Sequence, residues 1–441
     1  MQIDKTSYYD LAIFQQEEEF SVFHKLDFTR TAAGKDWLMK YFREPFSTLP
    51  EIEDTQQILR RILPHVDSWP QAISNGTLLV MEKFLDYNLD PLPESADNMN
   101  SYLYRLLHSP DFSLARYSLN HFAEFVKGMQ SLVKLLDDPQ APARLQTLLS
   151  QARMLLQHRQ LDELGTRPEK KSFSVRETVY YGRFFHDHFR HHALTLIQIF
   201  SQLDAWYAMA KAMQVYGLSF PKMTEQDDPY IEARGLYHLL LDKPVAYDLS
   251  MNPKSNFIFL TGANMAGKST FIKSVGLAVF LAHLGMGVPA KEARMTLFDG
   301  ILSNINVVDN IAKGESYFFN EVQRIKHTVQ KINDNRRWLV LIDELFKGTN
   351  IQDAMKCSTT VIKGLIKINR ALFILSTHLY EIGDELRDYP NISFKYFETN
   401  IHDDQLSFSY QLREGISNDR LGYLILKREK VVELLDRLPS K

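Results

Sequence analysis

A chain of 441 residues is long enough for two or three hydrophobic cores, and its 45% hydrophobic and 24% charged content is that of an ordinary globular protein. The single cysteine, Cys357, excludes an intrachain disulfide and a thiolate zinc site, and suits a reducing cytosol. The net charge is −3, with 24 basic and 27 acidic side chains in residues 1–222 and 27 of each in 223–441, so neither half is a basic domain that would hold nucleic acid by composition.

At the N-terminus, Asp4, Asp10 and Glu17-Glu18-Glu19 stand where a signal peptide would carry a basic start and an apolar run. The longest apolar stretch, Val275 to Val288, contains His283 and is too short to span a bilayer. The expectation is a cytoplasmic protein without a membrane partner. Residues 1–222 show helical patterns and no strand. Phe122, Phe125, Val126, Met129, Leu132, Val133 and Leu136 recur at the three/four spacing of one helix face. The Asp137 to Pro142 segment ends that helix, because proline cannot continue it. A second helix carries Leu145, Leu148, Leu149, Ala152 and Leu156, and Gly165 to Pro168 breaks the chain again. Then Phe189, Ala193, Leu196, Phe200, Leu203, Tyr207 and Ala210 sustain a heptad, which predicts one helix from about Thr178 to Val215. Such a rod would be roughly 55 Å long and able to carry motion, or simply a long member of a bundle. His188 and His192, four apart within it, have the spacing of two metal ligands but no acidic or thiol partner, so they read as a helix face.

Gly217 to Tyr230, with Pro221 and Pro229, reads as a domain junction, giving a helical domain 1–222 and a second domain 223–441. Beyond the junction strand-like and helix-like segments alternate, as in an α/β fold with a largely parallel sheet. Phe257 to Thr261 is an apolar run leading into Gly262, Ala263, Asn264, Met265, Ala266, Gly267, Lys268, Ser269 and Thr270, which fits G-x-x-x-x-G-K-[ST]. The glycines let backbone N–H groups point at phosphate oxygens, Lys268 reaches the β/γ-phosphates, and the Ser269 hydroxyl coordinates Mg²⁺. Trp338 to Ile342 reads as a central buried strand ending in Asp343-Glu344. Asp343 at such an edge serves Mg²⁺, and Glu344 serves as the base that deprotonates the attacking water. Ala371 to Leu375 is another buried strand, and His378 just beyond it is placed to sense the γ-phosphate. Leu406, Phe408, Tyr410 and Leu412 alternate with polar residues, as in an antiparallel strand with one face exposed.

These segments resemble the MutS family over nearly the whole chain. The 262–270 loop carries that family's Asn-Met pair, with Ala263 and Ala266 in place of its usual Pro and Gly. Gly287 to Ala290 falls at its Tyr-Val-Pro-Ala stretch. Gly314-Glu315-Ser316-Tyr317-Phe318 resembles its Gly-x-Ser-Thr-Phe signature, Asp343 to Asn350 its Asp-Glu-Ile-Gly-Arg-Gly-Thr-Ser, and Ser376 to Glu381 its Ala-Thr-His-Tyr-Phe-Glu. In the helical half, Leu26 to Gly34 resembles the opening of the family's core domain, and Leu203-Asp204 with Ala210 the end of its lever helix. The resemblance implies an all-helical core/lever domain followed by an ABC-type P-loop ATPase domain. It also implies ATP and Mg²⁺ as cofactors, a homodimer through the ATPase domains, and Ser316 of one subunit on the γ-phosphate held by the other's Lys268. The resemblance starts at the family's core domain, so the expectation is that the mismatch-reading and connector domains are missing. Phe-x-Glu, the family's mismatch wedge, recurs at Phe42, Phe122 and Phe319 at chance frequency. Asp419 to Gly422 departs from the family's Ser-Tyr-Gly. Two functions are therefore expected: a nucleotide-switched ATPase dimer acting on DNA, or a nucleotide-gated interaction protein with no DNA affinity of its own. An unrelated P-loop kinase or transporter ATPase would need substrate or membrane partners that the sequence does not indicate.

Overall fold

The computed structural model describes residues 1–168, 172–306, 317–402 and 405–417, with the isolated positions 430, 431 and 434. The chain divides into two compact units, one of residues Leu26–Arg43 and Asp54–Val215, the other of Met1–Lys25, Glu44–Glu53 and Tyr216–Lys441. The expected cut at residue 222 is thus corrected: it falls at 215/216, and two N-terminal segments pack with the C-terminal unit. The expectation of no strand before residue 222 fails for the same reason. β1 (Gln2–Ile3) is the edge strand of the C-terminal sheet, and two residues carry no alternation to read. The following α1 (Lys5–Asp10) is fixed by its own buried polar groups. The Asp10 carboxylate accepts from Ser303 Oγ at 2.6 Å, Ile305 N at 2.9 Å and Asn306 N at 3.0 Å, while Ser7 Oγ accepts from Ser303 N at 2.9 Å. The 44–53 segment is held by His283, which lies between the Phe46 carbonyl (2.9 Å) and the Phe298 N–H (3.1 Å). A short helix α2 (Val22–Leu26) leads out.

The helical unit contains α3 (Ala32–Arg43), most of α4 (Leu49–Ile62), α5 (Asn75–Asp86), α6 (Asn98–Leu107), α7 (Ser109–Leu136), α8 (Ala143–Leu156), α9 (Arg159–Gly165), α10 (Val175–Arg183) and α11 (Arg190–Tyr216). α7 buries the face read from the sequence and ends at Asp137, as expected. The single helix expected from 178 to 215 is not observed. Between α10 and α11 the backbone makes a π turn, Phe184–His188, closed by the Phe189 N–H on the Phe184 carbonyl at 2.8 Å. In a regular helix residues five apart diverge by about 140°. The wider turn brings Phe184 and Phe189 into a stack with centroids 5.1 Å apart, against Phe185 and Phe122. The cost is a poorly formed helical turn, offset by burying three phenylalanines. The same break separates His188 and His192, which are both exposed and no longer neighbours on one regular helix. Asp204 on α11 is buried and accepts from the backbone N–H of Arg30 (3.1 Å) and Thr31 (3.0 Å) and from Thr31 Oγ1 (2.8 Å). Two segments 174 residues apart are clamped this way.

In the C-terminal unit the strands are β2 (Lys222–Thr224), β3 (Ile231–Leu236), β4 (Tyr247–Met251), β5 (Phe257–Thr261), β6 (Glu292–Thr296), β7 (Gly300–Asn304), β8 (Trp338–Asp343), β9 (Ala371–Ser376), β10 (Ile392–His402) and β11 (Gln405–Glu414). The helices between them are α12 (Lys268–Ala282), α13 (Tyr317–Ile332), α14 (Ile351–Leu365) and α15 (Ile382–Leu386). A seven-stranded sheet runs β1-β7-β8-β9-β5-β10-β11, parallel except for β11. β5, β7, β8 and β9 are buried at every residue, which explains the apolar runs of β5, β8 and β9: both faces of a parallel sheet are covered. A second sheet, β2-β6-β3-β4, mixes parallel and antiparallel pairs and had no clear signal in the sequence. Among the described residues no helix is long and apolar enough to cross a membrane.

Candidate active site

The site lies at the C-terminal ends of β5, β8 and β9, three adjacent parallel strands. β5 delivers Gly262 at φ 135°, where a side chain would meet Phe397 at 3.3 Å, and Gly267 at φ 107° caps α12. Met265 takes φ 66°, a conformation that an L side chain adopts at a cost, and such residues gather at ligand loops. Lys268 is buried and folds back over the loop, donating to the Gly262 carbonyl at 2.8 Å and the Ala263 carbonyl at 2.9 Å. Burial pulls its pKa down to about 8, against the opposing pull of Glu344 and Asp343. Ala263 and Ala266 are buried inside the loop, while Asn264, Met265, Ser269 and Thr270 line the open side.

β8 places Asp343 opposite Ser376 of β9. The Asp343 carboxylate accepts from Ser269 Oγ on one oxygen and from Ser376 Oγ on the other. Carboxylate and hydroxyl oxygens alone meet here, a donor set suited to Mg²⁺ and unsuited to softer metals. Ser376 was not expected; only its place in register with Asp343 identifies it. Glu344 follows at φ 64° with its N–H on the Ser376 carbonyl at 3.0 Å. Its carboxylate is half-buried between His378 Nε2 (2.6 Å) and Lys347 Nζ (3.0 Å). Burial works against the ionised form, but His378 and then Lys347 outweigh it and hold the pKa at about 2. The loop carrying Lys347 is tied down from beneath, since the buried Glu321 of α13 accepts from the N–H groups of Lys347 (3.1 Å) and Gly348 (3.3 Å). That gives Glu321, the acid of the Phe319-x-Glu pattern, a role in this loop. Ser316, with Gly314 and Glu315, lies outside the described residues, as do Asp419 to Gly422.

In front of the loop a cavity of about 460 Å³ is lined by Lys268, Glu344, Leu241, Val245, Tyr247 and Tyr410. Tyr410 departs from the alternation expected of its strand. Pairing with β10 slips between Phe397 and Thr399, and Tyr410 takes φ 53° opposite the slip. The bulge turns its ring out of the sheet until it is 41% exposed and lies over Gly267, where a Cβ would be 3.5 Å from the ring. Such bulges re-aim a side chain, and period-two reading of a sequence does not see them. Tyr247, buried against Phe271 and Phe397, was missed too. The site therefore has a cationic, N–H-rich end and an aromatic–apolar end.

Residues 258–433, which span this whole strand-end constellation, match the family model for MutS domain V. Through this region the chain resembles the MutS family. It is similar to the DNA mismatch repair protein MutS of Petrotoga mobilis, with 28% identity over 241 residues, 54% of this chain and 29% of that protein. To the protein of the same name from Halalkalibacterium halodurans it is 32% identical over 206 residues, 45% of this chain and 23% of the relative. The DNA mismatch repair protein msh3 of Aspergillus fumigatus shares 26% identity over 237 residues, 51% of this chain and 21% of its own length. The chain thus spans less than a third of each of these relatives. The matched region carries Lys268, Ser269 and Glu344, which line the cavity, together with Asp343, Ser376 and His378, which are linked to them at the strand ends.

Proposed function

We propose that the chain is a MutS-like, ABC-type P-loop ATPase that hydrolyses ATP with Mg²⁺ and switches as a nucleotide-bridged dimer acting on DNA. The observation that carries this reading is the convergence of Lys268, the Ser269–Asp343–Ser376 oxygen cluster and Glu344 at the ends of three neighbouring parallel strands. Asp343 and Ser269 would hold Mg²⁺, which supplies charge neutralisation on the phosphates when bound. The N–H groups of residues 263–268 and the Lys268 ammonium bind the β/γ-phosphates, and Tyr410 and Tyr247 offer ring faces to the base. Glu344 is the general base, yet at a pKa of about 2 it is a weak proton acceptor while His378 and Lys347 hold it. Phosphate oxygens compete for the Lys347 ammonium and the His378 ring, so filling the site loosens that grip and lets Glu344 orient the attacking water. His378 then faces the γ-phosphate. Ser316 of a second copy completes the site, so ATP bridges two chains.

The test is ATP binding and turnover. Lys268→Ala is expected to lose tight ATP binding, and Glu344→Gln to bind ATP while turnover falls by about 10²–10⁴-fold. With ATP, Glu344→Gln is expected to shift toward dimer in sedimentation, and adding Ser316→Arg to reverse the shift. Wild-type turnover in Glu344→Gln contradicts the assignment. The alternative, a nucleotide-gated interaction protein without DNA affinity, draws on the even charge balance of the helical half. Duplex and branched-DNA binding measured across salt concentrations separates the two, because phosphate contacts give a salt slope.

A further inference from the structure

The helix α6 is turned inside out. Its thin inner face, Ser101 and Tyr104, is buried, with the Tyr104 hydroxyl on the Asp90 carbonyl at 3.0 Å and its ring against Leu92, Phe112 and Val179. Its broad apolar face points to solvent: Met99 is 78% exposed, Tyr102 59%, Leu103 50%, Leu106 77% and Leu107 65%. These positions follow i, i+3, i+4, i+7 and i+8, so they form one continuous stripe of the kind that a globular helix normally buries. At these exposures the stripe presents roughly 600–700 Å² of side-chain surface, above the largest patch of a typical monomer and close to the roughly 800 Å² per partner of a standard interface.

We infer that this stripe is a self-association surface, on which α6 of a second copy of the chain packs antiparallel about a two-fold axis. Four of the five stripe positions map onto one another when the sequence is reversed, and Leu107 falls opposite Asn98. About a centre between Tyr102 and Leu103, Met99 falls opposite Leu106 and Tyr102 opposite Leu103. An isologous interface requires this self-complementarity, residue i meeting j while j meets i. The stripe has no charge in it. The neighbouring chain from 86 to 111 carries Asp86, Asp90, Glu94, Asp97 and Asp111 against the single Arg105, a balance that repels a phosphate backbone and disfavours nucleic acid as the occupant. No residue of the stripe belongs to the nucleotide cavity, so this contact forms without ATP and is separate from the nucleotide-bridged dimer proposed above.

The experiment is sedimentation velocity of the nucleotide-free full chain over a concentration series, on the wild type and in a Lys268→Ala background. Self-association is expected in both, weakened at least about tenfold by Leu106→Glu. The substituted position is exposed, so circular dichroism and ATP binding should match the wild type. Cysteine trapping in a Cys357→Ser background reads the register: an equal mixture of Met99→Cys and Leu106→Cys chains is expected to form the mixed disulfide, while either alone cross-links poorly. A monomer at every concentration without nucleotide overturns the proposal, as does Leu106→Glu associating like wild type. Equal cross-linking of Met99→Cys with itself overturns the antiparallel register. Loss of duplex binding rather than of self-association in Leu106→Glu would make the stripe a nucleic-acid surface instead. Failure of the Lys268→Ala or Glu344→Gln expectations would leave this contact untouched.

Discussion

Single residues in this molecule act through what cannot move around them. Asp204 is held by three donors from Arg30 and Thr31, and burial pushes its carboxyl up to about 6 against those hydrogen bonds. Gly34 sits directly against it: an added Cβ would lie 2.1 Å from a carboxylate oxygen. Gly34→Ala is therefore expected to destabilise the helical unit by about 1–3 kcal/mol, the range for overpacking where the neighbour cannot yield. Alanine's better helix propensity, worth under about 1 kcal/mol, works the other way and is too small to win. Chemical denaturation checks this, and a neutral or stabilised Gly34→Ala would mean that the Asp204 clamp is slack.

At the scale of elements, the site is a set of loops held by the helices beside them. The Lys347-Gly348 turn follows β8 and rests on the Glu321 carboxylate, whose own pKa is raised by burial and lowered again by those two N–H groups. Glu321→Ala leaves two part-buried N–H groups without their acceptor, a loss of about 1–3 kcal/mol. Because Lys347 positions Glu344, turnover is expected to fall in this variant more than ATP affinity does, and Glu321→Gln, which keeps an acceptor, to recover part of it. Equal losses in affinity and turnover would show a merely structural role. The π turn between α10 and α11 follows the same logic in the helical unit. A backbone irregularity is kept because the packing of Phe184, Phe185 and Phe189 over-determines it.

For the whole molecule, the two units respond to acid in opposite directions. His283 is fully buried and neutral, and burial drops its pKa to about 4; His238 is lowered to about 4 by burial and by the nearby Lys273 and Lys25. Unfolded histidine takes up its proton near 6.5, so between pH 6.5 and 4 the unfolded chain holds protons that the folded unit does not. Stability from each site is complete above 6.5 and is lost as pH falls toward 4, on the order of 3 kcal/mol per group. Asp204, raised to about 6, has the reverse sign: its contribution is complete below 3.8 and lost as pH rises through 6. Hydrogen exchange at pH 7 and pH 5, corrected for intrinsic rates, is expected to show α12 and its sheet losing protection while α7 and α11 hold theirs. Uniform loss across both units would contradict this.

Much of the region after residue 257 was legible because its chemistry is local. A strand, a phosphate loop and a helix follow one another within residues 257–282, and the acids sit directly after an unbroken apolar strand, so the covalent order of the chain alone puts Lys268, Ser269, Asp343 and Glu344 at strand ends. The helix of 109–136 was legible too, because one face repeats its apolar residues without interruption. What the sequence could not determine depends on contacts between distant segments. Two residues at 2–3 become a strand only because β7 offers an edge, and Asp10 and His283 draw N-terminal segments away from the helices that follow them. Tyr410 reaches the cavity through a bulge set by its pairing with β10, and Ser376 reaches Asp343 only through register. The heptad from Phe189 to Ala210 predicted one rod over about 178–215, but the break at Phe184–His188 lies just before the heptad begins, where no periodicity marked it. Tertiary packing of three aromatic rings decided that break, because the free energy of burying them exceeds the small preference of the backbone for an unbroken helix.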